Sequence, residues 1–361
     1  MDRPTLRRAA AARLTARPLL ALAAALMLSL AALACPARAA EPPAVVVSIK
    51  PIHALVAAIM QDVAVPALIV TGAASPHDYA LKPSDATALE GARLVFWMGP
   101  SLEGFLVKPV RTLGPAASVP LGERLGDRIR PMRLEPLHDE AEAHGHDEDE
   151  DHHDHDHEHA DEHGDGDHHD EAEGHEHGHG HSHVDAEGRP LPDLHAWLDP
   201  TIAAAMVDII ASALKDADPE RAALYDRNAG TLKDRLAALD AELAETLAPV
   251  KGRPFIVFHD AYQYFEARYG LSGIGSLTIS PDASPGARRL AALRAEIEAG
   301  GAVCVFAEPQ FEPKLVRALI EGTAVKSASL DPEGANYEPG PETYFALLRD
   351  MARTLRDCLS G

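Results

Sequence analysis

The amino-acid sequence predicts an α/β protein built as two doubly wound lobes joined by a long rigid helix. Three observations predict it. β-Branched runs alternate with helical patterns before residue 100, and the same alternation returns after residue 250. Between them, 201–247 is helical almost throughout and has no strand signal. A length of 361 residues, 46% of them hydrophobic, suffices for two ordinary cores.

The first element is not part of the fold. Arg3, Arg7, Arg8, Arg13 and Arg17 give a positive start, an apolar run follows at 19–33, and Ala37-Arg38-Ala39 places small residues where a signal peptidase reads. Residues 1–39 are therefore expected to be a signal peptide that directs the chain to the periplasm. The run is short for a membrane span, and no later segment is apolar for long enough. Cys35 within the leader offers an alternative, attachment of a lipid.

An N-terminal lobe is expected over 40–200. Residues 45–49 form a β-branched strand, and Pro51 can open a helix running to Met60. Residues 65–71 read as a second strand and 72–76 as a loop; Pro83-Ser84-Asp85 starts a short helix, and 94–98 is a third strand. An insertion over 138–187 follows. Between His138 and His183 lie 16 of the 20 histidines and 19 acidic residues, with no Lys or Arg. Without large apolar side chains it has too little to bury to offset the entropy of ordering, so it is expected to be disordered. It also accounts for the acidity: of the net charge of −23, only −4 belongs to the rest of the chain. Neither part has the basic footprint that nucleic-acid binding requires.

A helical connector is expected over 201–250. Asp218 is a candidate cap and Pro219 a first helical residue for a helix over 219–248, about 40 Å long at helical rise. Leu224, Leu232, Leu236, Leu239, Leu243 and Leu247 recur at helical spacing, which suits either a core helix of one lobe or a strut between two. The C-terminal lobe, 251–361, should hold strands at 255–258, 271–279, 303–307 and 325–330, with helices at 261–269, 285–299, 313–321 and 341–359. Once the leader is removed, Cys304 and Cys358 are the two remaining cysteines, and in an exported protein they read as a disulfide. Closing that loop would contribute about 4 kcal/mol in the chain-entropy account.

Outside the insertion only His53, His77, His195 and His259 remain. In doubly wound domains ligands sit where loops leave the carboxyl ends of strands. His77 and His259 each follow a predicted strand, and His195 immediately precedes the helical section. Three such imidazoles would suit Zn2+, which needs four donors. A histidine near a strand end also serves as a hydrogen-bonded structural residue, and no H-x-H or C-x-x-C pattern in the folded parts decides between the two roles.

Four stretches go further: Ser48-Ile49-Lys50-Pro51-Ile52-His53, the run from His77 through Asp78 and Tyr79 to Pro83-Ser84-Asp85, His195-Ala196-Trp197-Leu198-Asp199-Pro200, and Phe258-His259-Asp260-Ala261-Tyr262-Gln263-Tyr264-Phe265-Glu266. With these the chain resembles the zinc-binding, ZnuA-type branch of the metal-specific solute-binding proteins of ABC transporters, over roughly 45–359. The resemblance implies that His77, His195 and His259 bind zinc in a cleft between the lobes, with Asp331 or water in the fourth position. Some zinc members carry Glu just before the first histidine, where this chain has Pro76. Manganese members carry Glu where His259 stands, as suits a harder ion. Around the site, His53 is expected to be structural or to support a ligand, and Glu308 to hydrogen-bond backbone or a ligand histidine. Trp197 and Tyr264 should exclude water, while Asp78 and Asp260 are either partners of the ligand histidines or solvated. The function implied is non-enzymatic: a monomeric periplasmic subunit that captures zinc and hands it to a membrane permease and its ATPase. A periplasmic zinc store and a zinc hydrolase are the rivals. The insertion would be a spacer, a weak zinc collector or a sensor.

Overall fold

The computed structural model describes residues 41–112, 117–133, 184–185, 187–278 and 285–361. The expected leader with Cys35, and nearly all of the expected insertion, lie outside them.

The first sheet is parallel, in the order β2-β1-β3-β4. Its strands are β1 (Val45–Val47), β2 (Ala67–Leu68), β3 (Leu94–Trp97) and β4 (Ala117–Pro120). β1 and β3 are buried along their whole length, which parallel strands covered on both faces require. The expected strand at 65–71 shrinks to two paired residues. Pro66 has no N–H to give the ladder, and Val65 is 87% exposed. β4 had no counterpart in the sequence reading: its Ala-Ser-Val-Pro carries little apolar signal, and it is defined by pairing with β3 from Leu94↔Ala117 to Trp97↔Pro120.

Helix α1 (Lys50–Ile59) follows β1 with Pro51 in its first turn. Helix α2 (Pro83–Gly91) is started by Asp85, whose carboxylate accepts from the Lys82 amide at 2.9 Å and the Tyr79 hydroxyl at 2.9 Å. Two short helices, α3 (Val107–Thr112) and α4 (Leu121–Leu125), flank β4. The arms leading to and from the insertion then run antiparallel. The Met132 amide donates to Leu191 O at 2.8 Å and the Asp193 amide to Arg130 O at 2.9 Å.

Helix α5 (Pro200–Ala217) is capped by Asp199, which accepts from the Thr201 amide at 2.7 Å. After a 3-10 turn at Pro219–Arg221 comes the long helix α6 (Ala222–Leu247). Asp218 does not cap it through its side chain; its carboxylate instead accepts from Arg221 at 2.8 Å and Tyr225 at 2.9 Å. The buried stripe begins with Tyr225 and Ala229 rather than Leu224, and continues through Leu232, Leu236, Leu239, Leu243 and Leu247.

The second sheet repeats the first. β5 (Pro254–His259), β6 (Ser272–Thr278), β7 (Cys304–Ala307) and β8 (Lys326–Ser329) are parallel in the order β6-β5-β7-β8. Helices α7 (Gln263–Tyr269), α8 (Ala287–Glu298), α9 (Lys314–Ile320) and α10 (Thr343–Leu359) complete it. Along β5 the side chains alternate: Phe255 and Val257 face a large core, while Ile256 and Phe258 face a smaller one with Leu293, Ile297, Val316 and Leu319. The large core is continuous from β1 to Leu359, because α6 and α10 pack on each other and both pack on α1. Cys304 and Cys358 are bonded, with Cα atoms 6.1 Å apart, pinning α10 to β7.

Candidate metal site

In each sheet the strand order reverses direction beside its first strand, and the crevice at that point is where such sheets place ligands. His259 is the last residue of β5, and Glu308 follows β7, so the two meet across the crevice of the second sheet. His77 lies in the loop after β2, and His195 opens the 3-10 turn Ala196–Leu198 before α5. One ring nitrogen from each of His77, His195 and His259 lies within 4.8 Å of the other two. Ring centroids are 5.5, 5.6 and 5.3 Å apart. His195 and His259 are each 2% exposed, whereas His77 is only half-buried and forms the outer wall.

The two buried rings are held by carboxylates. His259 Nδ1 donates to Glu308, with both oxygens at 2.8 Å, and Glu308 Oε1 also accepts from the Tyr262 hydroxyl at 3.0 Å. His195 Nδ1 donates to Asp193 Oδ1 at 2.8 Å. Asp193 is in turn fixed by the Gln263 amide, while its backbone carbonyl accepts from Tyr264 OH at 2.8 Å. In the neutral rings this network keeps the proton on each Nδ1 and leaves each Nε2 with a lone pair. The two Nε2 atoms face each other 3.4 Å apart. Two lone pairs aimed together repel unless a cation lies between them. Donors on a tetrahedral Zn2+ at its usual 2.0–2.1 Å bond length are spaced by about 3.3–3.4 Å.

Burial works against charging His259, but the Glu308 carboxylate, with Asp260 and Asp193 behind it, outweighs burial and holds its pKa above the ordinary histidine value. Deeper in, burial together with the neighbouring Glu308, Asp331 and Glu103 pushes the Glu333 carboxyl well above the usual range.

The remaining residues singled out from sequence fall in different places. Trp197 is fully buried with its ring 5.2 Å from His195, and its indole donates to Pro332 O at 2.9 Å. Tyr264 is buried and also accepts from the Arg130 amide at 2.7 Å. Asp331 is outside the three-histidine group; its Oδ1 accepts from the Gly334 amide at 2.8 Å and Gln310 at 3.1 Å, and its buried Oδ2 has no hydrogen-bond partner among the described residues. His53 is outside the three-histidine group and bonds Pro66 O at 3.0 Å, tying α1 to the residue just before β2. Asp78 is exposed, and Asp260 pairs with Arg133 rather than with His259. Sequence reasoning missed Asp193 as the residue that orients His195; the Asp193-Leu194-His195 spacing, two residues apart, was its only local trace.

Residues 45–358 match the family described as the periplasmic zinc-uptake complex component A. The chain belongs to that family. Among its relatives, a high-affinity zinc uptake system protein ZnuA from Brucella suis biovar 1 is 50% identical over 326 residues, covering 89% of this chain and 93% of that protein. One of the same name from Paracoccus denitrificans is 43% identical over 329 residues, covering 91% and 95%. The fold is also that of the laminin-binding adhesin Lmb from Streptococcus agalactiae, with a TM-score of 0.66 at 21% identity, covering 88% of this chain and 99% of that one. The binding protein FpvC from Pseudomonas aeruginosa, solved with Mn2+, gives 0.67 at 16%, covering 88% and 99%. Among the described residues, no helix is long and apolar enough to cross a membrane.

Proposed function

We propose that this chain is the periplasmic zinc-binding component of an ABC transporter for zinc uptake, holding Zn2+ on His77, His195 and His259. The observation that carries the reading is the pair of carboxylate-oriented Nε2 atoms facing each other at 3.4 Å, with His77 beside them. The fourth position would be filled by water or by Asp331 Oδ2. The cycle is binding without bond-making. The ion displaces protons from the imidazoles, the cleft residues settle around it, and a membrane permease with its ATPase takes the loaded form. The His-rich insertion supplies further weak sites that gather zinc for the cleft.

The test is zinc content after dialysis, measured by elemental analysis on the full chain and on a variant lacking 138–183. The shortened protein should retain one equivalent, and His77→Ala, His195→Ala or His259→Ala should each lose it. Retention of no zinc by the shortened protein refutes the cleft site, and unchanged total stoichiometry after the deletion refutes the role of the insertion.

A further inference from the structure

Lys50 breaks local rules. It opens α1, where the helix dipole favours an anion, yet it carries an ammonium and is only 5% exposed. A residue that violates helix electrostatics and pays desolvation too is there for another reason. Its Nζ donates to three backbone carbonyls: Gly72 O at 3.0 Å, Gly334 O at 2.7 Å and Ala335 O at 2.9 Å. That is the whole donor capacity of an ammonium. Gly72 belongs to the loop that leads to His77, whereas Gly334 and Ala335 belong to the loop that follows Asp331 in the other lobe. Gly72 and Gly334 are both left-handed, with φ of 69° and 77°, a conformation that glycine adopts without strain.

We propose that Lys50 is a positioning residue for metal capture: it ties the loop leading to His77 to the loop that follows Asp331, and so holds His77 against the buried His195–His259 pair. The inference rests on the zinc-capture reading above. His195 and His259 are each fixed by a carboxylate and by burial, so neither depends on this tie. His77 is half-buried, on a stretch with no helix or strand between β2 and α2. When a ligand is in place only part of the time, the apparent dissociation constant rises by the inverse of that fraction. Lys50 raises the fraction without touching the ion.

The experiment is a thermodynamic cycle on the full-length protein, with zinc affinity measured by competition against a chromophoric chelator. Lys50→Met keeps the chain length and removes the donors, and should weaken binding by about tenfold. Lys50→Gln keeps two N–H donors and should fall between that and wild type. In a His77→Ala background, Lys50→Met should cost roughly twofold or less, because the ligand through which it acts is gone. A full tenfold loss in that background, or wild-type affinity for Lys50→Met, overturns the inference. Thermal unfolding without zinc checks each variant, and Lys50→Gln carries the same cycle if Lys50→Met does not fold. Absence of tight binding by wild type, or no loss in His77→Ala, would instead strike the zinc-site reading itself.

Discussion

Replacing Glu308 by Gln separates what a carboxylate behind a proposed ligand histidine does from what its shape does. Glu308 is 3% exposed and accepts the His259 Nδ1 proton with both oxygens at 2.8 Å, so the amide fits the same space and still offers one acceptor. What is lost is the negative charge that makes Nε2 a stronger donor to the metal. Removing such a partner typically costs about 10- to 100-fold in metal affinity, or about 1.4–2.7 kcal/mol. The pH dependence gives the sharper test. His259 titrates above its ordinary value in the folded protein. Its charged pair with Glu308 therefore stabilises the metal-free fold fully below about pH 6.5, and that contribution fades as pH rises through the raised pKa. Zinc binding has the opposite sign, since the ion needs the proton gone. Wild-type affinity should climb with pH beyond about 6.5 before it levels off. In Glu308→Gln burial of His259 is opposed only by the weaker pull of Asp260 and Asp193, so the climb should move to lower pH while the plateau drops, and the two curves should converge on the acid side. Isothermal titration with zinc from pH 5.5 to 8.5 would read both. A uniform offset with an unshifted midpoint would refute the electrostatic role of Glu308.

Two further outcomes test the frame. Replacing Cys304 and Cys358 together by Ser releases a span of 54 residues and should cost about 4 kcal/mol on unfolding, with one zinc still retained in the cleft; denaturant unfolding and zinc content check the two halves. Leu236→Ala, at a position 1% exposed on α6 where both lobes share the core, should destabilise by about 2–5 kcal/mol, read as a lower midpoint at unchanged slope.

How much of this was legible depended on the range of the signal. The histidines of the proposed site lie at strand ends and loops, but it was the motif stretches around His77, His195 and His259, through the family resemblance they carry, that singled them out. The long helix was legible from its leucines, yet its stripe starts at Tyr225, because Leu224 lies one residue off the buried face. Asp218 looked like a cap by sequence, but Arg221 and Tyr225 offer its carboxylate stronger partners than the backbone does. β4 was invisible because its four residues carry only one large apolar side chain, Val119, and their partners in β3 lie some twenty positions earlier. Lys50 and Arg133 were missed because their partners, Gly334 and Glu266, are far away in the chain, and Asp193, though two residues from His195, is fixed by the equally distant Gln263. Local motifs report residues that terminate elements, and say little about residues whose work is to join one lobe to the other.

Those joining residues bear on how the cleft opens. Swinging the lobes apart would break Trp197 to Pro332 O, Tyr264 to Asp193 O, and Lys50 to Gly334 O, all buried hydrogen bonds across the cleft. Each buried group left unsatisfied costs about 1–3 kcal/mol. The same motion would shear a hydrophobic core that runs unbroken from β1 to α10, with α6 and α10 packed across it. Against that, the loop with His77, the outermost histidine of the proposed site, exposes residues 71–73 and Asp78, which can shift while Ile69, Val70 and Tyr79 of the same stretch stay in the core. Metal exchange should therefore proceed by local displacement of that loop, with the lobes staying in register. Small-angle scattering of the metal-free and zinc-loaded forms of the variant lacking 138–183 should give the same radius of gyration within error. Hydrogen exchange should slow on loading chiefly in the loop between β2 and α2. A radius that contracts by more than about 1 Å on loading, as hinge closure of two lobes would require, would show that the shared core yields and that this account of the frame is wrong.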